Sequence, residues 1–545
     1  MKTDLRPIGE VVKDLGIDPE AVENYGKYMA KVPLDNKAFA LEPKGKLVLV
    51  TAITPTPAGE GKTTTVIGLA QAMRRLGRKV SIAIREPSLG PCFGVKGGAT
   101  GGGRSKVEPS DRINLSFTGD FPSITAAHNL LSAMINNHIH FGNTLHIDTK
   151  RILFQRTIDM NDRSLRSIIV GVGGHENGAL AEDSFVITPA SEIMAIVGLS
   201  TSYSDLKDRL GRIIIGMNSA GEAVHAKDIN AHGAMAALLT DAIKPNVVQT
   251  TESVPAFIHT GPFGNSAHGT SSIIADRLAL RTSEIVITEA GFGSDLGAEK
   301  FFDLVSRIGS IPVNVVVIVA TVRALKHHGG AVNLSEENTE AMIKGTANLF
   351  RHIENIRSFG FDPVVAINRF SGDTKKELDM LSSILREKNV SFSVSDIFSG
   401  GGEGGLDLAR EVLKHLEQGT PKINYVYDFS DPVREKIEKV ARRVYGASGV
   451  IYDRKALSDL KTIEKLGLEG LPICIAKTQN SLSDDPKMLN APETFKVKVE
   501  GINISAGAGF LVPLMGSIMT MPGLPRKPSA ENIDITEDGE ITGLQ

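Results

Sequence analysis

The stretch Thr54-Pro-Thr-Pro-Ala-Gly-Glu-Gly-Lys-Thr-Thr-Thr65 lies between an apolar run at 47–53 and a segment at 66–76 whose apolar residues recur at helix spacing. Strand, glycine-bearing loop and helix in that order make a phosphate cradle. Backbone N–H groups in the first turn of a helix lack intrahelical partners and can donate to phosphate oxygens. Lys62 adds a positive charge for the terminal phosphates, and Thr63 offers a hydroxyl to a Mg²⁺ ion carried with them. Thr56, Pro57, Ala58, Gly59, Glu60 and Gly61 form the rest of the cradle, with Thr56 standing where such loops usually begin with glycine. A chance glycine-rich turn is the competing reading, and the strand-to-helix context of Gly61-Lys62-Thr63 argues against it.

The next strand is expected at 79–84, after Gly77 ends the helix. A strand–helix–strand unit implies a parallel sheet. The run at 47–53 does not alternate, as befits a strand covered by helices on both faces. Ligands of open α/β sheets bind beyond the carboxyl ends of the strands. Arg85 ends the second strand and so falls on the same sheet edge as the phosphate loop, at a strand tip expected to be adjacent. Its guanidinium suits a carboxylate or an acyl phosphate. A surface ion pair with Glu86 is the plainer alternative.

At 545 residues the chain is too long for one core. Hydrophobic residues at 41% and charged residues at 23% are ordinary for a soluble globular protein. A net charge of −3 gives no field to recruit nucleic acid or a membrane. Cys92 and Cys474 alone make neither a disulfide framework nor a zinc site. Residues 1–10 mix charges without a signal-like apolar core, and no apolar run is long enough to span a bilayer, so a cytoplasmic protein is expected.

Outside the cradle, residues 19–32 read as a helix, with Ala21, Val22, Tyr25, Met29 and Val32 on one side. The run Gly94-Val-Lys-Gly-Gly-Ala-Thr-Gly-Gly-Gly-Arg104 holds six glycines in eleven residues. It reads as a loop that lets backbone approach something closely, with a flexible lid as the plainer alternative, and Lys96 and Arg104 lend it positive charge. Asp120 precedes a helix at 123–137 and is a candidate metal or substrate carboxylate, or equally a turn former. His138 and His140 alone are a weak case for a metal. Strands are expected at 167–172, 212–217 and 284–288. The last leads into Glu289 and Asp295, carboxylates on the same edge as the cradle. Residues 251–269 form a long irregular stretch of the functional kind.

Two strand ends near 364–368 and 392–397 deliver Phe370 and Phe398 to glycine-softened loops. On neighbouring parallel strands the rings would flank a slot for a flat heteroaromatic ligand; capping the core is the plainer alternative. The whole predicts an α/β protein: a P-loop-type, mostly parallel sheet with helices on both faces, plus two smaller α/β or α+β domains. The expected divisions are 1–360, 361–450 and 451–545.

Together these stretches resemble the formate–tetrahydrofolate ligase family. The resemblance is carried by 54–65, by 93–104, and by Val319-Ala-Thr-Val-Arg-Ala-Leu-Lys-His-His-Gly-Gly330, with further matches at 288–302, 471–486 and 505–525. It implies ATP with Mg²⁺, formate and tetrahydrofolate as substrates, activation by a monovalent cation (K⁺ or NH₄⁺), and a homotetramer. It implies that Lys62 holds the transferring phosphoryl group, Arg85 grips formate or formyl phosphate, Asp120 lies near the reacting centre, and the pterin stacks at Phe370 and Phe398. Residues 1–360 would then bind nucleotide and formate, and 361–450 folate. Phe398 stands where the family often has Trp, Ser371 where it usually has Pro, and Arg104 where it has an aromatic residue. Two readings from other classes compete: a P-loop ATPase switch that binds a partner, and a carboxylate kinase that releases the acyl phosphate. A switch needs neither the Phe370/Phe398 slot nor the Arg85 strand end, and release of acyl phosphate without folate would favour the kinase.

Overall fold

The computed structural model describes residues 5–95, 99–516 and 518–544. Its central sheet is built on parallel strands β1 (Lys46–Ala52), β2 (Val80–Ile84), β3 (Pro255–Ile258), β4 (Ile285–Glu289), β5 (Val315–Ala320), β6 (Val364–Asn368) and β7 (Phe392–Ser395). They lie in the order β3-β2-β4-β1-β5-β6-β7. Beyond β3 the sheet turns antiparallel through Asn246–Thr250, which carries Ala30–Lys31 and Ser105–Glu108 on its far side.

Helices α1 (Lys62–Arg75), α2 (Asp120–His140), α3 (Ile273–Thr282), α4 (Val322–His328), α5 (Thr339–Ser358) and α6 (Leu406–Leu416) surround this sheet. Successive strand residues point to opposite faces. In β1, Val48, Val50 and Ala52 join the cluster of Val66, Leu69 and Met73 from α1 and Leu408 and Val412 from α6. Leu47 and Leu49 join the cluster formed with Ile124 of α2, Leu278 of α3 and Ile353 of α5. Both faces are dry, which is why β1 shows no polar alternation. Each fully buried Val or Leu contributes about 1.5–3 kcal/mol. Mixed α/β architecture with a mostly parallel sheet and helices on both faces is what the sequence predicts.

Three expectations are corrected. β1 and β2 are not neighbours, because β4 inserts between them. β3 lies inside the stretch expected to be irregular; Pro255 opens it, a position where a missing N–H is tolerated. No helix forms over 19–32. A 3₁₀ turn, Pro19–Ala21, leads into a hairpin of Glu23–Asn24 and Ala30–Lys31, and Gly26 takes a φ of +77° between them. The strands expected at 167–172 and 212–217 do form, as Ile168–Val170 and Ile214–Asn218, each in a small sheet of its own.

β6 and β7 hydrogen-bond onto the β5 edge and so continue the sheet that carries the phosphate loop. Towards the C-terminus, Gly449–Tyr452, Lys496–Ser505 and Phe510–Met515 make a three-stranded sheet. Among the described residues no helix is long and apolar enough to cross a membrane.

Candidate active site

The phosphate loop leaves β1 and enters α1 through Gly61, which sits at φ +75°. Glycine is required there twice over: by the left-handed backbone, and because a Cβ would stand 2.5 Å from Asn368 Nδ2. Asn368, the last residue of β6, donates that amide to the Glu60 carbonyl at 3.0 Å. The Glu60 side chain is buried. One oxygen accepts from the Thr56 N–H at 2.7 Å and the Thr56 hydroxyl at 2.9 Å, and the other accepts from the Thr321 hydroxyl. The carboxylate is thus spent on the loop's own shape and turned away from the space where phosphates would be repelled by it. Thr56, in the place of the usual glycine, supplies a hydroxyl to that anchor. Pro57 and Ala58 are exposed at the tip, and Lys62 is half-buried at the start of α1.

Three strand ends meet at Glu289. Thr63 Oγ1 donates to Glu289 Oε2 at 2.8 Å. Glu289 Oε1 lies 3.9 Å from Arg85 Nε. Arg85 also donates from Nη1 to the Pro262 carbonyl at 3.2 Å. Because β4 lies between β1 and β2, its terminal carboxylate can reach both neighbours. The start of α1 and the Arg85 guanidinium are thereby on one sheet edge, joined through a single side chain. Oxygen donors of Thr63 and Glu289 at the mouth of a phosphate loop suit Mg²⁺, a hard cation that prefers carboxylate and hydroxyl ligands. The sequence marks Glu289 only as a strand-end carboxylate; its position between β1 and β2 was not legible without the strand order.

Arg85 is not paired with Glu86. The Glu86 side chain turns into the protein, where burial and then the Asp120 charge push its pKa well above the carboxylate range. Asp120, the first residue of α2, is itself buried. Its oxygens accept from Lys31 Nζ and Asn246 Nδ2, each at 2.7 Å. It neighbours the buried Glu86 carboxyl, and both of its own oxygens are engaged by Lys31 and Asn246. Among the described residues no three His, Cys, Asp or Glu side chains gather as a metal site. His138 instead accepts from the Leu145 N–H at 3.3 Å.

β6 and β7 are parallel neighbours in register, Asn368 opposite Ser395, so Phe370 and Phe398 follow adjacent strand ends. Phe398 is 53% exposed. Phe370 is half-buried, with the Arg323 guanidinium 4.5 Å from its ring centroid. Arg323, near the start of α4, also donates to the Gly59 carbonyl at 2.6 Å, tying the phosphate loop to the Phe370 side. The glycine-rich loop closes on Phe398: the Arg104 N–H donates to its carbonyl at 3.0 Å. A Cβ on Gly102 would lie 2.9 Å from its ring, and one on Gly103 would lie 1.9 Å from its carbonyl oxygen. Close backbone approach explains these glycines. Lys96, expected to share the charge of this loop with Arg104, lies outside the described residues.

Behind the cradle, two histidines brace Thr54. His352 bridges the hydroxyls of Thr54 at 2.9 Å and Ser294 at 2.7 Å. His328 Nε2 donates to the Thr54 carbonyl at 2.9 Å, and its Nδ1 accepts from the Asn490 N–H at 3.1 Å. Burial first of all brings both imidazoles down to about 4, so they are neutral. A cavity of about 710 Å³ lined by Arg351, Lys388, Val390 and Tyr445 does not belong to this edge. Val390 precedes the first residue of β7, which places it at the opposite end of the sheet.

The family model described as formate–tetrahydrofolate ligase matches residues 1–545 of the chain. Among curated proteins, the formate–tetrahydrofolate ligase of Thermoplasma acidophilum is 62% identical over 540 residues, covering 99% of this chain and all of the relative. That of Thermoplasma volcanium is 60% identical with the same coverage. That of Picrophilus torridus is 55% identical over 542 residues, again 99% of this chain and 100% of the relative.

Proposed function

The chain belongs to the formate–tetrahydrofolate ligase family, and on that premise we propose how its strand ends divide the work. It is an enzyme that ligates formate to tetrahydrofolate. ATP, carried with Mg²⁺, phosphorylates a formate oxygen to give formyl phosphate and ADP. N10 of tetrahydrofolate then attacks the formyl carbon, the C–O bond to phosphate breaks, and the N10 proton is lost, leaving N10-formyltetrahydrofolate and inorganic phosphate.

Formate is too small to contribute much binding energy, so charge and geometry must hold it. Residues 56–63 cradle the ATP phosphates. Lys62 stabilises charge on the transferring phosphoryl group, and Arg85 grips the carboxylate and then the acyl phosphate. Thr63 and Glu289 hold the Mg²⁺ that travels with ATP, which screens the repulsion between nucleotide and acid. Asp120 acts through Glu86: together with burial, its charge disfavours the ionised form of the Glu86 carboxyl behind Arg85. Phe370 and Phe398 flank the pterin. In this reading residues 1–360 serve nucleotide and formate, 361–450 serve folate and 451–545 complete the subunit. A homotetramer in the cytoplasm, activated by K⁺ or NH₄⁺, completes the proposal.

The observation that carries it is the Thr63–Glu289–Arg85 chain, which gathers nucleotide-binding and acid-binding groups on one sheet edge. Product analysis with formate, ATP and tetrahydrofolate omitted one at a time tests it. ADP is expected only with formate present, and phosphate release at full rate only with both acceptors. Sedimentation and a K⁺ titration test the tetramer and the cation.

A further inference from the structure

Several buried polar atoms around Arg85 lack a protein partner. β3 runs on beside β2 past their last paired residues: the His259 N–H donates to the Ile84 carbonyl at 3.2 Å, and the Glu86 N–H to the Thr260 carbonyl at 2.7 Å. Thr260 therefore flanks the Arg85–Glu86 tip. It does so at φ +53°, a conformation that β-branched residues rarely adopt and that gathers at ligand sites. Its hydroxyl oxygen is buried without a hydrogen-bond partner, and Nε of Arg85 likewise makes no hydrogen bond, with only the Glu289 carboxylate facing it at 3.9 Å.

His268 is fully buried, and neither ring nitrogen has a partner. A Cβ on Gly198 would stand 2.7 Å from His268 Nε2 and 3.4 Å from Thr260 Oγ1, so the imidazole and the hydroxyl are neighbours, both packed against Gly198. The ring also lies within reach of the Arg85 charge. The carbonyl of Gly269, the next residue, accepts from the Gly291 N–H at 2.9 Å. A Cβ on Gly291 would lie 3.2 Å from Arg85 Nη1. A buried imidazole with both nitrogens unpaired is costly, and such groups mark the place of a missing polar partner.

We propose that His268, with Thr260, lines the acid-binding end of the formate pocket and donates a hydrogen bond to the carboxylate that Arg85 grips. The inference rests on the ligase reading and deepens it. Burial, and then the Arg85 charge, hold the imidazole near 3 and hence neutral at working pH. It therefore offers one N–H without adding charge.

Initial-rate kinetics on the full chain test this, with KM measured for formate, ATP and tetrahydrofolate in the unsubstituted enzyme, His268→Ala and His268→Gln. His268→Ala is expected to raise KM for formate by about tenfold or more, the loss for one hydrogen bond to a charged group. KM for ATP and tetrahydrofolate should stay within about twofold. His268→Gln, whose amide restores a donor, should recover most of the formate KM, which a purely structural imidazole would not predict. A formate KM unchanged in both variants, or a parallel rise in all three constants, overturns the assignment and leaves the ring bonded to water only. If the unsubstituted protein fails to ligate formate, the parent reading and this inference fall together.

Discussion

Thr63 donates its hydroxyl to Glu289 at 2.8 Å, joining the first turn of α1 to the tip of β4. The opposite oxygen of the same carboxylate faces Arg85 at 3.9 Å. The first turn of α1 and the Arg85 guanidinium are therefore held in register by the strand that β1 and β2 share as neighbour. This relationship follows from strand order and not from sequence proximity, since 226 residues separate Thr63 from Glu289.

Glu289→Gln removes the charge while keeping an acceptor for Thr63. We expect kcat to fall by about 10²-fold, in the range seen when one electrostatic group of an active site is lost. The Mg²⁺ concentration for half-maximal rate should rise as well, because an amide is a poorer ligand for a hard cation. Initial rates across a Mg²⁺ series give both numbers. An unchanged Mg²⁺ dependence would leave Glu289 as a brace for Thr63 only.

Lys62→Ala takes away the positive charge at the phosphate loop. Turnover should drop by about 10²–10³-fold, while stability changes by less than about 1 kcal/mol, since the side chain is only half-buried. Denaturant melts alongside kinetics separate the two effects. Near-normal turnover would remove Lys62 from the chemistry.

Phe398→Ala should raise KM for tetrahydrofolate by about three- to tenfold, the worth of one stacking contact, with KM for ATP unaltered. Gly103→Ala offers an indirect route to the same defect. Its Cβ would meet the Phe398 carbonyl oxygen at 1.9 Å from a backbone at φ +59°, so the ring-bearing loop must shift. A folate KM that ignores both substitutions would return Phe398 to a packing role.

His352 carries a pH prediction. Its pKa, pushed down to about 4 by burial, lies below the unfolded value near 6.5. The unfolded chain therefore binds more protons in that window. The stabilisation is present above about pH 6.5 and drains away as pH falls towards 4. His352→Gln keeps partners for Thr54 and Ser294 but cannot titrate. Between pH 7 and 5 the variant should lose about 2 kcal/mol less stability than the parent chain. Equal losses would mean that the ring is already charged in the folded state.

Much of this is legible in the sequence. Residues 54–65, the run at 47–53 and the strand-end position of Arg85 follow from local rules: helix termini bind anions, and doubly covered strands lose their alternation. The glycines at 101–103 announced a close backbone approach, though not that Phe398 is what they approach. What was hidden is non-local. Nothing near residue 50 reveals that β4 inserts beside β1, or that Asn368 and Thr321 complete the phosphate loop from distant strands. Residues 19–32 misled because apolar spacing there is helical while Gly26 and the pairing offered by Asn246–Thr250 favour a hairpin. β3 was missed because a short strand opened by Pro255 carries a weak local signal.

The most direct measurement is ADP formation by the purified chain with ATP and Mg²⁺, compared with and without formate and tetrahydrofolate, and with N10-formyltetrahydrofolate quantified by chromatography. One ADP should appear per N10-formyltetrahydrofolate, and almost none when formate is withheld. ADP released at the same rate without formate, with no formylated folate, would contradict a shared pocket for nucleotide and one-carbon acid.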